Sequence, residues 1–176
     1  MPNQPIKQIN IYISDSFNAR AFESDRPWAA ISIASTPNDF PSLQTENRVG
    51  LLQLAFEDIR CDSDRCWDAI LFDSTLADRI VNFIRELPQE VESLLVHCGA
   101  GISRSPAVAQ ILCQVSGTDT SLLEQHYAPN PEVLPILRWA FVGNFPTYIK
   151  FVYAAFFRGY DNEGVPRLFY VNQTLV

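Results

Sequence analysis

Hydrophobic and polar residues alternate near the start of the chain, where Ile9, Ile11 and Ile13 stand two positions apart. A period of two is typical of a strand with one buried face, so this pattern predicts a first strand. Two apolar runs, 28–35 and 49–56, predict a second and a third strand. The segment SDSFNARAF, between the first two, predicts a turn and a short helix.

A helical period follows the third strand and the acidic loop EDIRCDSDRCWD. The apolar residues that recur every three or four positions are Leu76, Ile80, Phe83, Ile84 and Leu87. This spacing predicts an amphipathic helix that packs on a sheet. Ser74 or Thr75 is expected to cap its N-terminus.

The run ESLLVHC is short and mostly apolar, which is typical of a buried central strand. It ends at Cys98, and Pro106 suits the first turn of a following helix capped by Ser105. Strands that alternate with helices predict an α/β fold with a central, mainly parallel sheet flanked by helices. Because no repeat or second set of elements is present, residues 1–176 are expected to form one domain.

Composition narrows the class of protein. Of the 176 residues, 47% are apolar and 19% are charged, which is enough to form a core. No apolar run approaches the roughly 18 residues that span a bilayer, and no secretion signal is recognisable, so we expect a cytoplasmic protein without a membrane partner. The net charge of -7 argues against nucleic acid as the main partner. Two histidines and four cysteines without metal-ligand spacing argue against a zinc site.

The segment VHCGAGISRS places Cys98 and Arg104 at the two ends of one short loop. The loop residues between them are Gly99, Ala100, Gly101, Ile102 and Ser103. The glycines allow the peptide N–H groups to turn inward at a helix N-terminus, where they can bind a phosphate. The guanidinium fork matches two phosphate oxygens, and these same groups favour the ionised, nucleophilic thiol. The loop is therefore predicted to be a phosphate cradle with a reactive sulfur at its floor.

On these residues the chain resembles the protein tyrosine phosphatase superfamily, and AGISRS is most similar to the dual-specificity phosphatases. The resemblance covers roughly residues 49–141. It implies their fold and the hydrolysis of phosphomonoesters through a cysteinyl-phosphate, without a metal or other cofactor. Carried over by position, Cys98 is the nucleophile and Arg104 the phosphate clamp. Ser105 stabilises the thiolate as it leaves, and His97 helps to set the ionisation of Cys98.

The resemblance also implies an aspartate that protonates the leaving oxygen from a loop upstream. The segment LQLAFEDI matches the strand and acid of the family and places Asp58 in that role. Asp58 lies 40 positions before Cys98, more than is usual in the family, so the chain would carry an insertion in RCDSDRCWDAILF. Asp62, Asp64 and Asp68 lie in the same loop and stay open as alternatives.

A further matched segment, APNPEVLPIL, resembles the Ser-Pro-Asn segment that follows the loop helix in many dual-specificity phosphatases. By that match Asn130 supports the phosphate loop through hydrogen bonds to its backbone. From its position alone Asn130 is equally a cap for the next helix. Pro135 predicts that this helix starts late or is kinked.

The remaining cysteines are expected to have no part in catalysis. Cys113 lies on the apolar face of the helix after the loop and is predicted to be in the core. Cys61 and Cys66 are interpreted as ordinary loop thiols; the alternative is a reversible disulfide that protects Cys98, as in some cysteine phosphatases. His126 has no partner that the sequence identifies.

The segment after the matched region, residues 146–176, is unusually aromatic and is treated as a C-terminal extension. We expect it to form a helix that covers the core and then a final strand. The alternative is a surface that binds a partner.

The loop letters GAGIS contain no lysine of the kind that lipid phosphatases of the superfamily carry, so we expect a phosphorylated protein or peptide as substrate. A shallow site that accepts phosphotyrosine and extends to phosphoserine and phosphothreonine is favoured. Two alternatives stay open: a noncatalytic phosphate-recognition module of the same fold, and an RNA 5'-phosphatase, which the acidic charge disfavours. The sequence does not indicate an oligomeric state.

Overall fold

Strands and helices alternate along the chain in the computed structural model, which describes residues 5–64 and 67–170. The strands are β1 (Lys7–Asp15), β2 (Trp28–Ala34), β3 (Arg48–Ala55), β4 (Ser93–Cys98), β5 (Ile149–Tyr160) and β6 (Pro166–Tyr170). The helices are α1 (Ser16–Ala19), α2 (Ser74–Arg85), α3 (Arg104–Val115), α4 (Ser121–His126) and α5 (Val133–Phe141), with a 3₁₀ turn at Asp62–Asp64. The predicted strands before Cys98, the short helix α1 and the amphipathic helix α2 are confirmed.

The described strands form one sheet in the order β3-β2-β4-β1-β5-β6. Strands β1 to β5 pair in parallel, and β6 pairs with β5 in the antiparallel direction. The predicted α/β fold is therefore confirmed, with a mixed sheet that is mostly parallel. None of the helices in these described residues is long and apolar enough to cross a membrane.

Side chains of the sheet pack against a layer on each face. Helices α2, α3 and α5 cover one face, where Leu94 and Val96 of β4 lie in the main hydrophobic core. On the other face, Leu95 of β4 belongs to a smaller cluster around Phe22 and Trp28. Because successive side chains of a strand point to opposite faces, Cys98 shares the α3 face with Leu94 and Val96.

Both predicted N-caps are wrong. Helix α2 is capped by Asp73, whose Oδ1 accepts a hydrogen bond from the Leu76 N–H at 2.9 Å, and not by Ser74 or Thr75. The Asp73 carboxylate is the stronger acceptor for the positive end of the helix. Ser105 lies inside the first turn of α3, whose cap position is Ser103.

The predicted C-terminal helix is also wrong. Residues 149–160 form β5, which pairs along β1, and residues 166–170 form β6 at the edge of the sheet. Phe151, Phe156 and Phe157 of β5 are almost fully buried. Strand β5 is thus an integral part of the sheet and not an extension, while residues 171–176 lie outside the described residues.

Candidate active site

The carboxyl ends of four parallel strands meet at one edge of the sheet. Cys98 ends β4, and Asp15 at the end of β1 is its partner in the strand register. Ser35 follows β2 and Phe56 follows β3, and both contact Arg104. In open α/β sheets ligands bind at this edge, outside the ends of the strands. The edge therefore contains both residues that the sequence predicts to act on phosphate.

The loop between Cys98 and Arg104 packs closely against the end of β1. The Ser16 N–H donates to the Gly99 carbonyl at 3.0 Å. Gly101 has a positive φ of 68°, and a Cβ at this position would lie only 2.8 Å from the Asp15 backbone nitrogen. Only glycine fits there, because both the conformation and the space exclude a side chain.

The peptide groups of this loop are available for a ligand. Within the described residues, no N–H from Gly99 to Ser103 donates a hydrogen bond to the chain. Gly99, Ala100 and Ile102 are exposed, whereas Gly101 and Ser103 are buried. Free N–H groups directly before a helix favour a bound anion.

The Cys98 thiol lies at the floor of this loop. Its residue is 2% exposed, and the Ser105 hydroxyl donates a hydrogen bond to its sulfur at 3.2 Å. A hydroxyl donor stabilises a sulfur that carries negative charge more than a neutral thiol. The contact is the one that the resemblance predicts for Ser105.

Arg104 is a buried cation with free donors. It is 7% exposed, and its Nη1 donates to the Phe56 carbonyl at 2.7 Å and to the Ser35 hydroxyl at 3.2 Å. Its Nη2 lies near Gly99, and its buried Nε has no hydrogen-bond partner in the described structure. Nor does any described carboxylate pair with it. A buried guanidinium is costly without a counter-charge, so this arrangement suits a bound anion.

Asp58 is held beside the same loop by two hydrogen bonds to one oxygen. The Ser103 hydroxyl donates to its Oδ1 at 2.6 Å, and the Asn130 side-chain amide donates to the same atom at 2.7 Å. Its Oδ2 accepts no hydrogen bond from the described residues. The Asp58 residue is exposed.

The alternative aspartates are placed differently. Asp64 accepts a hydrogen bond from the Arg60 N–H at 3.1 Å, and this contact, followed by the Cys61 side chain, lowers the pKa of Asp64. Asp68 is exposed, and the side chain of Asp62 lies outside the described part of the chain. Of the four candidates, Asp58 is the one with a described hydrogen bond to the phosphate loop.

Asn130 joins the acid segment to helix α5, and the hydrogen bond expected between Asn130 and the backbone of the loop comes from its main-chain N–H. Its side-chain amide donates to Asp58 and to the Ile59 carbonyl at 3.0 Å, and not to the backbone of the phosphate loop. That loop is instead contacted by the Asn130 backbone N–H, which donates to the Ser103 carbonyl at 3.0 Å.

The expectation that Asn130 caps the next helix is wrong in position, because the cap position of α5 is Glu132. The Asn130 Oδ1 instead caps the turn that leads into α5, where it accepts hydrogen bonds from the N–H groups of Glu132, at 2.9 Å, and Val133, at 3.2 Å. The late start predicted from Pro135 is confirmed, because Pro135 lies in the first turn, where a missing N–H has no cost.

His97 points away from the thiol of its neighbour. It lies on the opposite face of β4 from Cys98, is fully buried, and its Nε2 is 2.7 Å from the Ser32 hydroxyl. Burial lowers the pKa of His97 to about 4, so the ring is neutral at pH 7. Any effect of His97 on Cys98 therefore comes through the position of the strand and not through a positive charge.

We expect His97 to make the folded state sensitive to mild acid. In the unfolded chain the histidine, with a pKa of 6.5, binds a proton below pH 6.5, whereas in the folded protein, with a pKa of about 4, it stays neutral down to about pH 4. Stability is thus lost as pH falls through this window, by about 2 kcal/mol at pH 5. Urea unfolding at pH 7 and pH 5 should show this loss reduced in His97→Gln, while exposed His126→Gln retains it. An equal loss in both variants would contradict the prediction.

Sequence reasoning missed three groups near the loop: Ser35, Phe56 and Asp15. Burial alone would raise the pKa of Asp15, but hydrogen bonds from the backbone and side chain of Asn18 outweigh burial and lower it. Arg158 also pairs with Asp15 at 3.3 Å. The signal that could have identified all three is their shared position at the ends of parallel strands.

The other cysteines are placed as follows. Cys113 is 1% exposed, which confirms the core prediction, and burial raises the pKa of its thiol to about 12. Cys61 is exposed, and its sulfur is 2.8 Å from the Ser63 hydroxyl. Cys66 lies outside the described residues, so its interpretation as a loop thiol stays a prediction. The ring of His126 packs edge-on against Phe169.

Comparison with models of known protein families gives no match, and comparison with curated proteins gives none either. Among the described residues, no group of three His, Cys, Asp or Glu side chains could hold a metal ion. Fold and site together define a structural class: an α/β protein with a buried cysteine and a buried arginine at the carboxyl edge of its sheet, the arginine having no ion pair among the described residues.

Proposed function

We propose that the protein is a cysteine-dependent phosphatase with the fold and chemistry of the dual-specificity phosphatases. It hydrolyses phosphotyrosine in proteins or peptides, and its shallow site extends to phosphoserine and phosphothreonine. The observation that carries the proposal is the buried Arg104 guanidinium at the loop that Cys98 begins, which has neither a counter-charge nor a partner for its Nε among the described residues. A phosphate ester would pair with this guanidinium through two of its oxygens and accept hydrogen bonds from the loop N–H groups.

In the first step the Cys98 thiolate attacks the phosphorus atom, and an S–P bond forms while the ester P–O bond breaks. Arg104 and the loop N–H groups stabilise the charge on the transferring phosphoryl oxygens. The leaving oxygen takes a proton from Asp58 through Oδ2, because both described hydrogen bonds to this carboxyl are made to Oδ1. The products of this step are the dephosphorylated alcohol or phenol and a cysteinyl-phosphate.

In the second step water attacks the phosphorus atom and the S–P bond breaks. Asp58, now a carboxylate, takes a proton from that water, which reverses its role in the first step. The sulfur leaves as a thiolate, and the hydrogen bond from Ser105 stabilises it. The thiolate and the protonated Asp58 are restored, and inorganic phosphate is released.

The two alternative functions have less support. A noncatalytic recognition module needs no proton donor, yet Asp58 is fixed beside the loop by Ser103 and Asn130. An RNA 5'-phosphatase would have to attract a polyanion against a net charge of -7. The phosphoprotein is therefore the favoured substrate.

The direct test is hydrolysis of para-nitrophenyl phosphate and of a phosphotyrosine peptide by the purified protein in the presence of EDTA. We expect saturable release of phosphate from both compounds. An RNA with a 5'-triphosphate, assayed in parallel, should release none. Binding of the phosphopeptide without phosphate release would support the recognition module instead.

We expect Asp58→Asn to slow phosphotyrosine hydrolysis by about 100-fold. The asparagine keeps an oxygen that accepts the hydrogen bonds from Ser103 and Asn130, but it has no proton to give. Hydrolysis of para-nitrophenyl phosphate should fall much less, because nitrophenolate leaves without protonation. The measurement is kcat for both substrates across the pH range.

The matched control is Asp64→Asn, which removes the same charge from the same loop without touching the phosphate loop. Its kcat should equal that of the parent protein. If kcat for phosphotyrosine hydrolysis fell strongly in Asp64→Asn and stayed normal in Asp58→Asn, the general acid would instead be an aspartate of the inserted segment.

A further inference from the structure

A groove of about 880 Å³ lies between the N-terminal end of α2 and helix α5. Its apolar lining residues include Phe72, Pro135, Ile136, Trp139 and Val142. We refer to it as the α2–α5 groove. It is lined by none of the residues that form the phosphate loop, so the chemistry proposed above does not account for it.

Two large apolar side chains of the groove are left in solvent. Trp139 is 78% exposed and Val142 is 63% exposed, although α5 has Val133, Leu137 and Phe141 to bury in the core. An exposed tryptophan beside an apolar groove is typical of a surface that binds another polypeptide.

The charged residues that line the groove are acidic. Asp73 and Asp78 of the α2 region are the two charged residues in its lining. Arg138 is next to Trp139 in sequence but donates to Gln114 of α3 at 2.9 Å and is not part of the lining. A ligand with lysine or arginine beside its apolar side chains would complement this surface.

The groove continues toward the candidate active site. A second cavity of about 230 Å³ shares Phe72 and Ile136 with it, reaches Asn130, the partner of Asp58, and adds the acidic residues Glu57 and Glu132. The lining therefore stays acidic along the whole path from Trp139 to the acid segment.

Phe72, which lines the groove, also contacts Phe56, the residue that is hydrogen-bonded to Arg104. The Phe72 ring packs on the Phe56 ring at 4.9 Å between centroids, and the Phe56 carbonyl accepts a hydrogen bond from Arg104. A peptide bound in the groove would therefore contact Phe72, which packs on Phe56, whose carbonyl is hydrogen-bonded to Arg104.

From this continuity and charge we propose that the α2–α5 groove binds a basic, apolar segment of the phosphoprotein substrate. Its apolar side chains pack against Trp139 and Phe72, and its lysines or arginines pair with Asp78 and Asp73. The proposal rests on the phosphatase function above and adds the class of substrate sequence. Phosphoproteins with such a segment near the phosphorylated residue are the preferred substrates.

The test uses two phosphotyrosine peptides that differ only in a flanking segment, which contains either leucine with lysine or leucine with glutamate. The parent protein should prefer the lysine peptide. Trp139→Ala should lower kcat/KM for that peptide about tenfold and leave para-nitrophenyl phosphate hydrolysis unchanged. Asp78→Lys should reverse the preference between the peptides. Glu92→Lys, which makes the same charge change before β4 at the opposite edge of the sheet, should preserve it.

Other outcomes would overturn the proposal. Equal kcat/KM values for both peptides, or no effect of Trp139→Ala and Asp78→Lys, mean that the groove does not bind substrate. If Trp139→Ala converts a dimer into a monomer in sedimentation, a second copy of the chain covers the groove instead.

The groove can also be tested apart from catalysis. Anisotropy of a labelled, unphosphorylated lysine peptide should report binding to the parent protein and about tenfold weaker binding to Trp139→Ala. This binding is expected even if no phosphate ester is hydrolysed. Hydrolysis of para-nitrophenyl phosphate without peptide binding would refute the groove alone, and binding without hydrolysis would refute the phosphatase alone.

Discussion

Replacing Cys98 with serine is expected to abolish turnover and to leave the binding of phosphate esters intact. A serine hydroxyl is far less ionised than a thiol at neutral pH and is a poorer nucleophile without a base beside it. Loss of the nucleophile should reduce kcat by more than about 10⁴-fold. The loop N–H groups and Arg104 remain, so calorimetry with a phosphotyrosine peptide should give a Kd close to that of the intact site.

The matched control is Cys61→Ser, because Cys61 is an exposed thiol. It should keep the parent kcat. Acid quenching during turnover, followed by mass spectrometry, should find phosphate on the peptide that contains Cys98. Turnover by Cys98→Ser within tenfold of the parent, or phosphate on another residue, would exclude the cysteinyl-phosphate mechanism.

Replacing Arg104 with alanine is expected to impair both binding and turnover. Among the described residues the guanidinium is the buried cation at the loop, and its Nε and Nη2 donate no hydrogen bond there, so both can form a bidentate pair with phosphate. We expect kcat/KM to fall by about 10³-fold or more and the Kd for a phosphopeptide to rise at least tenfold. Arg104→Lys keeps the charge but loses the fork, so its defect should be intermediate.

Because Arg104 also donates to the Phe56 carbonyl, its removal can reduce stability as well as activity. Thermal unfolding separates the two effects. Inorganic phosphate should raise the Tm of the parent protein and not that of Arg104→Ala, since only a bound ligand stabilises the folded state. Arg79→Ala is the control, because exposed Arg79 also donates to a backbone carbonyl, that of Gln53. A normal phosphate response in Arg104→Ala would contradict the assigned role.

Much of the sheet could be predicted because its first strands have local signals. The alternation around Ile11 and the apolar run that ends at Cys98 identify β1 and β4 without knowledge of their partners. Strand β5 was mistaken because its twelve residues are largely buried on both faces, and an apolar run of that length without a period of two is as typical of a buried helix as of a strand. Its neighbour β1 lies more than a hundred positions away, so only the folded chain reveals the pairing.

The predictions of the N-cap residues of α2 and α3 were wrong for a related reason. Ser103, Ser105 and Asp73 are all good capping residues by type, so several positions were consistent with each helix start. The choice depends on what else each side chain contacts. Ser103 donates to Asp58 and Ser105 donates to Cys98, and these contacts depend on the tertiary arrangement.

The sequence by itself determined the loop from Cys98 to Arg104, because a strand end, two glycines, an arginine and a helix start all fall between positions 94 and 106. Tertiary structure alone decided which groups surround that loop. Ser103 donates a hydrogen bond to Asp58, which lies 45 positions earlier in the sequence, and Asn130 donates one to Asp58 from 72 positions away. Burial in the folded sheet likewise keeps His97 neutral at pH 7, and the fold places no carboxylate of the described residues beside the buried Arg104. Hydrogen bonds and desolvation between distant segments produce no recognisable pattern in the amino-acid sequence. Backbone geometry within about ten residues does produce one, because it requires particular residue types at particular spacings.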